Sequence, residues 1–120
     1  MGYGLPAALG VAVSDNSRRT ICLDGDGSVM MNIQELATIA YNRLDIKLVL
    51  LNNSGYHSIR QTQNNFFHPP LVGVDDTSGI GFPDFEKLAE AFGLGYFRVE
   101  REQDCDGVLE RFLSSEGPCI

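Results

Sequence analysis

Two short apolar runs with a helical repeat between them constrain the fold more than any other feature of this chain. "TICL" at 20–23 and "IKLVLL" at 46–51 are rich in β-formers and bounded by turn residues, so each reads as a buried strand. Between them Ile33, Leu36, Ala37, Ala40 and Tyr41 recur with helical spacing, predicting a helix over 32–42. A tight turn joins that helix to the second run. Strand, helix and strand this close together make a right-handed βαβ unit, which requires parallel strands.

The flanks continue the alternation. Pro6 suits the first turn of a helix in which Leu5, Ala8, Leu9 and Ala12 share a face, ending near Ser14. Regular patterning stops after Asn53 and resumes at Pro83, a long gap for a compact domain, and such gaps are commonly functional. The gap carries Tyr56, Ile59, Phe66, Phe67, Leu71, Val72, Ile80 and Phe82, too apolar for disorder. Ile59, Gln63, Phe66 and Phe67 have the spacing of a short helix, so a packed lid or active-site segment is expected there. Pro83 and Asp84 then open, and Gly93 closes, an amphipathic helix carrying Phe85, Leu88, Ala89 and Phe92. A strand at 95–99, a helix within 104–115 and the start of a strand at 118–120 follow. The expected class is α/β: a parallel sheet flanked by helices on both faces. The expected organisation is a single domain, 1–120, cut at both ends from a larger chain.

Length and charge narrow the function. At 120 residues the chain can bury a core without disulfides or metal. Net charge is −7 and the nine Lys and Arg are scattered, which argues against a nucleic-acid surface. No apolar run is long enough to cross a bilayer. Cys22, Cys105 and Cys119 match no zinc or C-x-x-C spacing and read as thiols in a reducing compartment, with a cytoplasmic location expected.

Chemistry concentrates in "LDGDGSVMMNIQEL", 23–36. Asp24, Asp26, Ser28, Asn32 and Glu35 fall at positions 1, 3, 5, 9 and 12 of an EF-hand frame. A strand precedes this loop where an EF-hand has a helix, and Val29 stands where its sharp turn needs glycine. The alternative places the loop at the carboxyl end of a parallel strand, the edge where open α/β sheets bind ligands. There Gly25 and Gly27 admit a bulky anion, and Ser28 offers a hydrogen bond just before a helix N-terminus. An acidic side chain beside a phosphate needs an intervening cation, so Asp26 suits a hard divalent ion. Asn52 and Asn53, at the end of the next parallel strand, supply amide oxygens for the same ion.

Gly25-Asp26-Gly27-Ser28, Met31-Asn32, Gln34-Glu35-Leu36 and Asn52-Asn53 together resemble the thiamine-diphosphate signature of the 2-keto-acid carboligases, the group of acetolactate synthase and pyruvate decarboxylase. "MGYGLPAA", "SIRQTQNNFF" and "PDFEKLAEAFG" extend the likeness toward acetolactate synthase, over the whole chain, at the C-terminal cofactor domain of a longer protein. The resemblance implies that Asp26 and Asn53 bind Mg²⁺ through their side chains and Gly55 through its carbonyl. It implies that Gly25, Gly27 and Ser28 surround the diphosphate, that Met1 props the cofactor in its bent form, and that Gly2, Tyr3 and Tyr56 adjoin it. The implied reaction decarboxylates a 2-keto acid, with pyruvate the expected donor, and adds the enamine to a second carbonyl, as in branched-chain amino-acid biosynthesis.

The resemblance also implies what lies elsewhere. The activating glutamate comes from a neighbouring subunit of a homodimer or homotetramer, so this chain alone is expected to bind cofactor weakly and catalyse nothing; FAD belongs, if anywhere, to the rest of the longer chain. Gln61-Thr62-Gln63 departs from the Gln-Trp-Gln of biosynthetic acetolactate synthases, which leaves the acceptor open. Ile59 replaces an acidic residue of the pyruvate decarboxylases, against simple aldehyde release. His57 either touches substrate or hydrogen-bonds within its loop, and His68 reads as a surface residue. Arg60 meets either a substrate carboxylate or a nearby acidic side chain. The competing readings are a decarboxylase or an oxidase with the same cofactor, and a flavodoxin-like module holding phosphate or Ca²⁺ at Asp24 and Asp26.

Overall fold

The computed structural model describes residues 1–120 and forms a parallel sheet, as the alternation of elements predicts. Strand β1 (Thr20–Gly25) and strand β2 (Ile46–Leu51) pair in register from Thr20 opposite Ile46 to Gly25 opposite Leu51. Two shorter segments extend the sheet beyond β2. Leu48 N donates to Cys119 O at 2.9 Å and Cys119 N to Ile46 O at 3.2 Å; Ile120 N donates to Gly95 O at 2.9 Å and Phe97 N to Ile120 O at 2.8 Å. The order across the sheet is therefore β1, β2, 119–120, 95–97, all parallel. Within the strand expected over 95–99, pairing is seen for 95–97, and Arg98 and Val99 are exposed.

Six helices surround the sheet: α1 (Gly4–Ser14), α2 (Asp26–Val29), α3 (Glu35–Tyr41), α4 (His57–Phe66), α5 (Phe85–Phe92) and α6 (Cys105–Ser114). Leu5, Ala8 and Ala12 of α1 lie one and two turns apart and bury one stripe, as their spacing predicts. With Leu36 and Ile39 of α3 and Ala89 of α5 they close over Cys22, Ile46 and Leu48 on one face of the sheet. Helix α5 is delimited as expected: the Asp84 side chain accepts from Glu86 N at 3.0 Å and Lys87 N at 3.3 Å, and Gly93 ends it at φ 70°.

Helix α6 covers the second face through Val108 and Phe112, with Phe97 edge-on to Phe112 at 5.7 Å. Its cover reaches β2 but not β1, whose outward Ile21 and Leu23 remain 57% and 66% exposed. Lys47, on the same face and wholly buried, anchors the end of α6: its Nζ donates to Ser115 O at 2.9 Å, Ser115 Oγ at 3.1 Å and Gly117 O at 2.5 Å, and lies 2.9 Å from Asp45 Oδ1. Arg19 pairs with Asp45 at 2.9 Å and donates to Leu113 O. Two cations thus take the carbonyls that α6 leaves without helical partners.

Two expectations need correction. The helix expected over 32–42 begins only at Glu35, yet helical winding starts earlier, at Asp26, and tightens to a 3-10 turn over Met30–Asn32. The Asn32 side chain donates to Gly2 O at 2.5 Å, so this turn serves the N-terminal segment as well as the helix. Between Asn53 and Pro83 the chain is ordered by α4 and a 3-10 turn, Asp76–Ser78, but Phe66 and Phe67 do not pack into a lid; both are exposed. Packing in this segment centres on Val74, which is fully buried, and on Tyr56 and Phe82, edge-to-face at 6.1 Å.

Candidate functional site

Asp26 stands at the carboxyl end of β1, as the first residue of α2, and is 1% exposed. Its Oδ1 accepts from Gly27 N at 2.7 Å and its Oδ2 from Gly55 N at 3.1 Å. No ion pair of the chain involves Asp26. A buried carboxylate held only by two backbone amides is a charge without a countercharge, an expensive arrangement unless a cation completes it. Each of its oxygens accepts a single hydrogen bond, so a lone pair on each is still available to a metal.

Glycines let the surrounding chain close on Asp26. A Cβ at Gly27 would overlap the Tyr56 ring, and one at Gly55, where φ is +153°, would overlap Val74 O. A Cβ at Gly25 would meet only open space. Gly25 therefore leaves room, whereas Gly27 and Gly55 permit contact. Gly2 N donates to Ser28 Oγ at 2.8 Å, which leaves the Ser28 hydroxyl proton free for another acceptor. With the Asn32 bond to Gly2 O, this fastens the N-terminal segment beside the start of α2.

The residues singled out in the sequence divide into two groups. Asp26 with Gly55, Gly2 with Ser28, and Gly27 with Tyr56 are brought into contact. Met1, Tyr3, Asn53 and His57 are exposed around that cluster, Asn53 just beyond the end of β2 and His57 as the first residue of α4. His68 lies on the surface at φ 58°. A calcium loop does not form. Asp24, Asp26 and Glu35 do not converge as a metal-binding group, and Asp24 turns its Oδ1 to Gly25 N at 2.9 Å and its buried, unpartnered Oδ2 toward Gly4.

The sequence analysis singled out Tyr56 and Arg60 but not Val74 and Asp75, which they meet in the second half of the cluster, nor Ser78, which holds Asp75. Tyr56 N donates to Val74 O at 2.9 Å, and Gln63 holds the same stretch with two bonds, Nε2 to Val72 O at 2.9 Å and Oε1 from Val72 N at 2.8 Å. Arg60 Nη2 donates to Ser54 O at 3.2 Å and its Nε lies 3.4 Å from Asp75 Oδ2. Hydrogen bonds from Ser78 and Thr77, aided by Arg60, hold the Asp75 carboxyl below the ordinary carboxylate range. The capping pattern Asp75-x-x-Ser78 was the one available signal.

Away from the cluster, a cleft of about 910 Å³ lies between β2 and α6, lined by Val49, Leu51, Phe97 and Phe112 and reaching Asn52 and Asn53. No helix is long and apolar enough to cross a membrane.

The whole chain, residues 1–120, matches a family model described as "Thiamine pyrophosphate enzyme, C-terminal TPP binding domain". It is 38% identical over 120 residues to acetolactate synthase isozyme 1 large subunit of Escherichia coli strain K12, covering 100% of this chain and 21% of that protein. It is 42% identical over 120 residues to the acetolactate synthase large subunit of Porphyra purpurea, covering 100% and 20%. Acetolactate synthase 2, chloroplastic, of Nicotiana tabacum is 38% identical over 125 residues, covering 100% and 19%. The chain thus spans about a fifth of the length of the curated relatives it matches.

Proposed function

The chain belongs to the thiamine pyrophosphate enzyme family, as a C-terminal TPP-binding domain, and from that premise we propose that it holds thiamine diphosphate and Mg²⁺ for an acetolactate-synthase-like enzyme acting on pyruvate. The observation that carries this reading is Asp26, a buried carboxylate with amide donors and no cationic partner. Mg²⁺ prefers few carboxylates and several neutral oxygens, which suits Asp26 with the Asn53 amide oxygen and the Gly55 carbonyl. Gly25 leaves space for the diphosphate, and Ser28 keeps a proton to donate to it.

When bound, thiamine diphosphate supplies the electron sink that decarboxylation of a 2-keto acid requires. The chain's own residues do the placing. Asp26 would hold the cation, Gly27 lets Tyr56 close over the start of α2, and Met1, Gly2 and Tyr3 would adjoin the cofactor. Because the chain is about a fifth of its relatives' length, the remaining parts of the reading concern a longer protein. The activating glutamate comes from a neighbouring subunit of a homodimer or homotetramer, and any FAD sits outside this domain.

Product analysis of the full-length enzyme tests the reaction. With pyruvate, Mg²⁺ and thiamine diphosphate, acetolactate is the expected product. Acetaldehyde would make the enzyme a decarboxylase, and acetate an oxidase, either of which overturns the carboligase assignment.

A further inference from the structure

The backbone amides of two consecutive residues are held from opposite sides. Gly55 N donates to Asp26 Oδ2 at 3.1 Å, and Tyr56 N donates to Val74 O at 2.9 Å. The loop between Asn53 and Tyr56 is therefore clamped between the end of β1 and the 72–78 segment. Gly55 fits that clamp only because it has no Cβ, since a side chain there would overlap Val74 O.

The 72–78 segment is itself held by side chains of α4. Gln63 takes both polar groups of Val72, and Arg60, one turn earlier, reaches Asp75 at 3.4 Å through Nε and Ser54 O at 3.2 Å through Nη2. Ser54 stands between Asn53 and Gly55 with φ 57°, a left-handed conformation that is unfavourable for a residue with a Cβ. Two bonds hold it: Ser54 N donates to Asn52 Oδ1 at 3.3 Å, and Arg60 holds the Ser54 carbonyl. Asp75 in turn has its direction set by Ser78 Oγ and Thr77 Oγ1, both donating to Oδ1 at 2.8 Å. Arg60 Nη2 is committed to Ser54 O by a hydrogen bond, and Nε, which makes no hydrogen bond, lies at ion-pair distance from Asp75, so the chain supplies the acidic partner that the sequence left undecided.

We propose that Arg60 is a positioning residue for the metal: anchored by Asp75, it fixes the Ser54 peptide and so presents the Asn53 amide and the Gly55 carbonyl to the cation that Asp26 holds. The inference rests on the Mg²⁺ reading above. It assigns Arg60 no contact with substrate.

The test uses full-length protein, measuring by calorimetry the Mg²⁺ concentration that half-saturates thiamine diphosphate binding, alongside the KM for pyruvate. Arg60→Gln and Asp75→Asn are both expected to raise the Mg²⁺ midpoint roughly 10- to 100-fold, as loss of outer-shell support for a metal ligand does, with KM for pyruvate unchanged at saturating Mg²⁺. The double variant is expected to match the worse single variant, because the two residues act as one support. A raised KM with an unmoved Mg²⁺ midpoint would overturn the inference and make Arg60 a substrate-carboxylate binder. An unmoved midpoint in Asp75→Asn would also overturn it, even if Arg60→Gln does not fold. Wild-type protein that binds the cofactor without Mg²⁺ would instead remove the metal reading on which the inference stands.

Discussion

The amide of Gly55 donates to the carboxylate of Asp26 at 3.1 Å, joining residues 29 apart in sequence. The bond ties the turn after β1 to the turn after β2, the two loops that a parallel sheet places side by side at its carboxyl edge. Residue 26 must be an acceptor and residue 55 must lack a side chain for the edge to close, and the sequence meets both conditions in Asp24-Gly25-Asp26-Gly27 and Asn52-Asn53-Ser54-Gly55.

Gly27 is fixed by the Tyr56 ring rather than by its backbone. Gly27→Ala is expected to destabilise the domain by about 1–3 kcal/mol, because the new methyl overlaps the ring and forces it away from Phe82. Adding Tyr56→Ala should recover part of that loss. Thermal melting of the two single variants and the double variant measures this; simple additivity would contradict the contact.

Lys47 is the one cation wholly inside the molecule. Lys47→Ala is expected to cost about 1–3 kcal/mol, since it strands the acceptors Ser115 O and Gly117 O and removes one of the two cations beside half-buried Asp45. Hydrogen exchange localises the effect: the amides of Cys119 and Ile120, which stitch the 119–120 segment into the sheet, should exchange faster while those of α1 do not.

Asp45 makes the same anchor sensitive to acid. Burial pushes its carboxyl upward, but Lys47 and Arg19 beside it outweigh burial and hold it below the ordinary carboxylate range. A folded pKa below the unfolded one gives stability that is present above the unfolded value, about 3.9, and is lost as pH falls through the folded value. Denaturation midpoints recorded from neutral pH down to about pH 3 should therefore fall less steeply for Asp45→Asn than for the wild type. Parallel profiles would contradict the coupling.

The local parts of this structure were legible in the sequence, and the parts built by distant partners were not. Asp84 and Gly93 delimit α5 because caps act on their own backbone, and the βαβ unit follows from two apolar runs and one helical period. Phe66 and Phe67 read as core by type but have no apolar surface facing them. In the site, Gly25, Asp26, Gly27 and Ser28 were legible as small residues and a carboxylate at the end of a strand, whereas Gly55 was singled out through the family resemblance. For Arg60 the sequence left two partners open, a substrate carboxylate or a nearby acid, because Asp75, the acid it meets, is chosen by the fold and has no spacing rule.

Asp26 is proposed as this chain's carboxylate ligand for Mg²⁺. The most direct measurement of that role is calorimetric titration of thiamine diphosphate into full-length protein, with and without Mg²⁺, for the wild type and for Asp26→Asn, which keeps an acceptor oxygen but removes the charge. The account predicts Mg²⁺-dependent binding in the wild type and loss of that dependence in the variant. Binding by Asp26→Asn with an unchanged Mg²⁺ requirement would contradict it.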